Sequence, residues 1–457
     1  MLAMVAGGIL LVATKESPYP SEWDPRVAEL AQWTEGARDL KFEHPVDVLF
    51  LTPEEYSGES TGDVTSDSDL EAEDQEAMKE AVGMLRALGL VEGEVDLTEA
   101  NNTLTDSGTL AFYSPQTKTV YVRGTELTPA LRVTLVHELV HVLQDQHFDL
   151  TRLADLESGA ATSLRAVAEG DATRVENTYV EKKLNDEEEA DYIKESQETY
   201  DETAGDIDAK VPPAMSALFA SPYIFGPRLV EYLFVTGGTS AIDAALEDPP
   251  SEFALFDPIN NAPKDNPASD QVQIPVTPVH DGDLVDVLDD GTFGPEGWYL
   301  MMAARLDPRV ALTATDGIKS DGYAYYRQDD TVCVSATAQA DGKDMDELTS
   351  ALEEWAAKSP DGSADLELTD STITLRSCDP GEEMTGVGDV SVELLLFAAI
   401  RTEVYVALIS DDTDPQLASC YSQGLVEKFT VDELTDPEFG NVPVEAQRFD
   451  QLAMSCS

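Results

Sequence analysis

Apolar residues recur at three- and four-residue intervals through residues 24–40 and again through 70–90, by way of Met78, Ala81, Met84, Leu85 and Leu88. Each stretch predicts a helix. Between them, residues 46–51 (VDVLFL) read as a strand and the acidic stretch 54–69 as a loop. Residues 109–114 (TLAFYS) and 119–123 (TVYVR), joined by Pro115-Gln116-Thr117-Lys118, predict a hairpin. Thr128 as N-cap and Pro129 in the first turn open a helix to about residue 146. A further helix is expected over 158–184, then two shorter ones over 212–220 and 226–236, stopped by Gly237-Gly238. Residues 262–278, rich in Pro and Asp, mark a boundary. Beyond it helical patterns (298–306, 345–357, 390–409, 415–429) mix with strand patterns (323–327, 331–337, 366–368, 373–375). The expectation is an α+β chain: a mainly helical domain with a small β-hairpin or sheet over 19–265, then a smaller α+β domain over 279–457.

Composition changes this picture in three places. Residues 2–13 (LAMVAGGILLVA) have the length of a signal-peptide apolar region, with no Lys or Arg before them. Residues 1–18 are therefore expected to be a truncated export signal, the alternative being a buried N-terminal strand. The run falls short of the ~20 residues of a membrane span, so no stable transmembrane segment is expected. No Cys follows closely enough to carry a lipid anchor. The four cysteines, Cys333, Cys378, Cys420 and Cys456, all lie late and form no CxxC pair. That pattern suggests up to two disulfides in an oxidising compartment, with three pairings open and four buried thiols as the alternative.

The third is charge. Ninety Asp and Glu against 28 Lys and Arg leave a formal net charge of −62. Binding to nucleic acid or to an anionic membrane by general electrostatics is excluded. The acids recur along the whole chain, which points to a surface adapted to high salt more than to a local acidic binding patch.

Chemistry is concentrated at Val136-His137-Glu138-Leu139-Val140-His141-Val142, an HExxH motif inside the predicted helix. Spacing i, i+4 sets both imidazoles on one face, where they can share a metal ion, and Glu138 can reach a metal-bound water as general base. The helix is apolar almost all round, so these groups are buried, and leaving them without partners would cost several kcal/mol. A divalent metal removes that cost. A third ligand is needed, and Glu169, set in Ala166-Val167-Ala168-Glu169-Gly170-Asp171-Ala172-Thr173, is the candidate. No HxxGxxH follows the motif. His147 is off the ligand face, and His44 and His280 have no chemical context.

HELVHVLQDQHFDL followed by AEGDAT resembles the HExxH…E gluzincin metallopeptidases, and more closely a group of zinc-peptidase surface proteins from halophilic archaea. The EGDA segment is similar to the NEGxA of gluzincin aminopeptidases. The resemblance spans about residues 24–258, its weaker part carried by Ser221-Pro222-Tyr223, Gly226 and Pro249-Pro250-Ser251. It implies a zincin-like fold, one Zn²⁺ held by His137, His141 and Glu169, and Glu138 as base and proton shuttle. Where thermolysin-like gluzincins place an Asp to orient a ligand histidine, this chain has Thr173, with Asp171 off-phase. Both are candidates for orienting the ligands, and Tyr223 is the candidate for stabilising the oxyanion. The hairpin at 109–123 implies an edge that pairs with an extended peptide.

The expected function is zinc-dependent peptide-bond hydrolysis by an exported or surface-held protein working in high salt. Its partners are a peptide or protein substrate and the cell envelope; oligomeric state is left open. The rival expectation is a non-catalytic surface or binding protein on a metal-stabilised peptidase-like fold. A cytosolic zinc hydrolase, with free cysteines and a folded N-terminal run, is a third.

Overall fold

In a computed structural model the described residues run from Tyr19 to Cys456, apart from short stretches at 62–65, 68–69, 107–108, 281–282, 286, 361, 384–387, 389, 437–438 and 440–442. The expected signal segment, residues 1–18, lies outside them. The chain is α+β. Its first part contains α1 (Ala28–Arg38), β1 (Asp47–Leu51), α2 (Pro53–Thr61), α3 (Ala72–Ala87), α4 (Leu97–Asp106), β2 (Ala111–Ser114), β3 (Thr119–Arg123) and α5 (Pro129–Phe148). There follow α6 (Ser158–Lys183), α7 (Asp186–Lys210), α8 (Pro213–Gly237), α9 (Thr239–Glu247) and α10 (Glu252–Phe256). The remainder holds β4 (Val279–His280), β5 (Asp283–Leu284), β6 (Val287–Gly291), α11 (Gly294–Ala303), α12 (Pro308–Asp316), β7 (Ser320–Gln328), β8 (Thr331–Gln339) and α13 (Gly342–Lys358). It ends with β9 (Ala364–Leu368), β10 (Thr372–Cys378), α14 (Val392–Ser410), α15 (Pro415–Lys428), α16 (Val431–Thr435) and α17 (Pro443–Ser455).

Two cores organise these elements. The first packs α1 and the sheet β1-β3-β2 against α5, with Val48, Val120, Val122, Leu135, Val136, Leu139 and Val140 buried. β1 runs parallel to β3, and β2 pairs antiparallel to β3, leaving β2 an edge strand. The second and larger core joins α6 and α8 to α11, α13, α14 and the antiparallel sheet β6-β7-β8-β10-β9. α6 belongs to both: Leu164, Ala166 and Val167 face the large core, and Ala172, Val175 and Tyr179 the small one. The stretch 262–278 lies beside a core that continues across it, since Leu229 on one side and Phe397 on the other share one apolar cluster. α3 also reaches the second sheet, where Arg86 holds Asp379 at 2.8 and 2.6 Å.

Two expectations are corrected, at 53–61 and in α8, and two helices, α4 and α7, lie where none was expected. Residues 53–61 are helix, not loop. Thr52 and Glu55 bond each other's backbone N–H as a capping box, and fully buried Tyr56 anchors the inner face. The acidic run at 186–191 opens the 25-residue α7, capped by the Asn185/Glu188 box, although none of its residues is buried. α8 is one helix of 25 residues where two were expected, with Pro222 and Pro227 inside it. Those prolines remove two backbone hydrogen bonds, but burial against α6 and α14 outweighs the loss. α4, capped by Asp96 on the N–H of Glu99, had no counterpart in the pattern.

The cysteines pair as Cys333–Cys378, across neighbouring strands β8 and β10, and Cys420–Cys456, from α15 to α17. No helix among the described residues is long and apolar enough to cross a membrane.

α6 and α8 meet through glycine. A Cβ on Gly226 would lie 2.1 Å from the carbonyl oxygen of Ala166, and one on Gly170 would lie 2.2 Å from that of Gly226. Backbone cannot yield like a flexible side chain. Gly226→Ala is therefore expected to destabilise the fold by about 1–3 kcal/mol, read as a lower denaturant midpoint. An unchanged midpoint would show that the helices can separate at no cost.

A second joint is acidic. Glu252 and Glu296 line a small cavity with Thr162, Phe225, Leu255 and Phe256. Burial, reinforced by Asp321 and then Glu296, pushes Glu252 up to about 8. Burial pushes Glu296 up to about 7 against the hydrogen bond from Ser221, and pushes Asp321 up to about 6 against bonds from Trp298, Gly294 and Phe293. Unfolded glutamates titrate near 4.5, so between roughly pH 4.5 and 8 the native state binds more protons than the unfolded chain. Stability from these groups is full at the acid end of that window and falls as pH rises through it. Urea midpoints measured from pH 5 to 8 should decline, and Glu252→Gln with Glu296→Gln should flatten the decline. An identical slope in the double variant would contradict this assignment.

Candidate metal centre

α5 begins where the sequence places it: the Thr128 hydroxyl accepts from the N–H of Leu131 at 3.3 Å, and Pro129 fills the first turn. Its apolar surface is packed on several sides, by α1, α6, α7 and β2. His137 and His141, one turn apart, present rings with centroids 4.8 Å apart and nearly perpendicular. Glu169 comes from α6. Its Oε2 lies 3.1 Å from His137 Nε2 and 3.5 Å from His141 Nε2. One ligand atom from each of the three residues falls within 4.8 Å of the others, the one such grouping of metal-binding side chains among the described residues.

Each histidine is oriented from behind. His137 Nδ1 donates to Glu176 Oε2 at 2.9 Å, and Tyr192 on α7 approaches the other oxygen of Glu176 at 3.5 Å. His141 Nδ1 donates to Gln144 Oε1 at 2.9 Å. The Gln144 amide cannot turn over, because its nitrogen donates to Asp171 Oδ2 at 2.9 Å and to the Ala168 carbonyl at 3.0 Å. Asp171 is fully buried and is held by Arg38 at 2.7 Å, itself 2% exposed and also paired with Asp243. This chain of contacts leaves both Nε2 lone pairs for the centre. Two imidazoles, one carboxylate and fixed tautomers are the donor set that suits zinc.

Glu138 is 8% exposed, and its Oε2 accepts from the backbone N–H of Tyr113 at 2.7 Å. In the antiparallel register Ala111 and Tyr113 turn their N–H and C=O groups to the outer edge of β2, so that edge faces the centre. The Tyr113 hydroxyl is tied back to α5 by Asp145 at 2.6 Å, which Lys118 also holds at 2.6 Å. Strand and helix are thus clamped at both ends of one tyrosine.

Charge within the centre is coupled. Burial pushes His137 down, but its bonds to Glu169 and Glu176 outweigh it and hold the ring well above its ordinary value. His141 is raised in the same way, by Glu169 against burial. Burial would lift Glu169, yet the two histidines keep it far below the usual carboxylate range. Glu138 moves the other way: burial raises it, partly offset by His141 and His137.

The structure therefore brings together His137, Glu138, His141 and Glu169. Tyr223 joins them, 49% exposed, its hydroxyl 3.5 Å from Glu169 Oε1. Asp171 stands behind His141 by way of Gln144. Among the described residues Thr173 forms no hydrogen bond with either histidine; the partner of His137 is Glu176, two turns after Glu169 instead of one. His147 donates to the Lys41 carbonyl at 2.8 Å, away from the centre. The spacing i, i+3 from His141 to Gln144 and i, i+7 from Glu169 to Glu176 was the available signal for the residues the sequence reading passed over. Arg38 offered none.

If the chain behind His141 sets the ring, Asp171→Asn frees the Gln144 amide to turn, and Gln144→Met removes the acceptor. Either variant is expected to weaken zinc binding by about 10–100-fold in chelator competition, with unchanged circular dichroism. Wild-type affinity in both would show that His141 needs no support. No protein-family model, no curated protein and no solved structure matches the chain.

Proposed function

We propose that the chain is a zinc-dependent peptidase, exported or held at a cell surface and working in high salt. The observation that carries this is the convergence of His137, His141 and Glu169 beside a buried carboxylate, Glu138, fixed by the edge strand. Zinc, when bound, supplies Lewis acidity, polarising a carbonyl and making water acidic enough to react near neutral pH.

The protein's own groups do the rest. The outer edge of β2 offers the N–H and carbonyl of Ala111 and the carbonyl of Tyr113 to an extended peptide by strand addition. Glu138 takes a proton from the attacking water at its carboxylate and delivers it to the nitrogen of the leaving amine. The Tyr113 N–H keeps the carboxylate aimed while the proton moves. Tyr223 directs its hydroxyl at the developing oxyanion, where a neutral donor is needed, and the half-buried phenol, with Glu169 nearby, stays protonated.

The two disulfides favour an oxidising compartment, and the dispersed acids favour high salt. In molar KCl, purified protein should contain one zinc per chain and cleave an unstructured protein. Glu138→Gln should keep the zinc and lose about 10²–10⁴-fold of the cleavage rate. Zinc without cleavage would favour the binding-protein reading, and an absence of stoichiometric zinc would sink both.

A further inference from the structure

Arg165 is an exposed residue on α6, one turn before Glu169. In a chain with about three acids for every base, its surroundings are unusual. Each of the other fourteen arginines donates a hydrogen bond or forms an ion pair. Arg165 alone has neither among the described residues. Its natural partner would be Glu169 at i+4. Both oxygens of that carboxylate are engaged, Oε2 with the histidines and Oε1 with Tyr223.

Position gives the unpaired cation a role. α6 and α8 run parallel, since Gly226 meets Ala166 and Arg174 meets Glu231 further along both helices. That register sets Arg165 level with Tyr223, whose hydroxyl feels its charge. Arg165 therefore stands at the rim of the metal centre, on the side of the proposed oxyanion donor. A net charge of −62 repels anions at long range. An anionic substrate group would have to be held by direct contact with a cation that no neighbour neutralises. A guanidinium meets that need through two parallel N–H donors, the geometry of a carboxylate.

We propose that Arg165 anchors a carboxylate of the peptide substrate beside the scissile bond. The proposal deepens the peptidase reading and rests on it for the identity of the ligand. The carboxylate can be a peptide's C-terminus or an Asp or Glu side chain; the chemistry at Arg165 is the same.

The test uses one fluorescent peptide sequence in four forms, with a C-terminal acid or amide and with an internal Glu or Gln. Affinities are measured for zinc-loaded Glu138→Gln protein, so that binding is read without turnover, and again with Arg165→Ala added. A carboxylate-bearing form should bind about tenfold more tightly than the neutral form. Arg165→Ala should abolish that preference while leaving the neutral peptide's affinity and the zinc content unchanged. Loss on amidation identifies the C-terminus, and loss on Glu-to-Gln exchange the side chain. Equal affinity for all four forms, no binding of any form, or a preference that survives Arg165→Ala overturns the proposal. Cleavage of the same peptides by wild-type protein reads the peptidase function separately: cleavage without carboxylate preference sinks the Arg165 anchor alone, and preference without cleavage sinks the peptidase alone.

Discussion

Two imidazoles and a carboxylate lie within residues 135–143 of α5, whose other side chains are all apolar, and the structure is arranged around the need to give each polar atom a partner. An unpaired buried polar group costs a few kcal/mol, comparable with a large share of a domain's net stability. Here the partners come from everywhere. Glu176 and Gln144 take the outer nitrogens of the histidines, Asp171 and Ala168 take the Gln144 amide, and Arg38 neutralises Asp171. The Tyr113 N–H takes Glu138. Five elements that touch nowhere in sequence, α1, β2, α5, α6 and α7, are thereby bound to one centre. What satisfies the buried groups also aims them.

The other constraint is steric. α6 carries Glu169 and faces both hydrophobic cores, so its position couples them. It is set by the Gly226 and Gly170 contacts with α8, which bring the helices to backbone distance. That approach lets Tyr223, on a largely apolar helix that contains two prolines, reach Glu169. It also aligns Arg165 with Tyr223. The convergence of polar groups and tight packing are therefore one problem in this region: the glycines fix where the polar groups can meet.

High net negative charge bears on neither constraint directly. The acids crowd elements such as α7, which has no fully buried residue and is held to α5 by Arg132–Glu188 and by Glu195 on the N–H of Ala130. They leave the centre itself to a few carboxylates, each with a defined neighbour. Arg165 reverses the usual situation, a cation without an acid in a chain full of acids.

Local pattern was enough for α5, with its Thr128-Pro129 start, for the hairpin, and for the pairing of HExxH with Glu169, because helical spacing and burial act over a few residues. It was also enough for the α+β class. It misread 53–61 and passed over the helix that opens at 186–191, where acidity concealed capping boxes that were themselves visible at Thr52/Glu55 and Asn185/Glu188. It broke α8 in two because proline penalties are local, whereas the burial that overrides them comes from α6 and α14. The supports of the centre belonged to the tertiary structure alone. Arg38 lies 133 positions from Asp171, and no periodicity connects them. Sequence by itself determined which groups could do chemistry, since that follows from residue type and spacing. Folding decided which partners orient them, since hydrogen bonds form between whatever groups packing brings within reach.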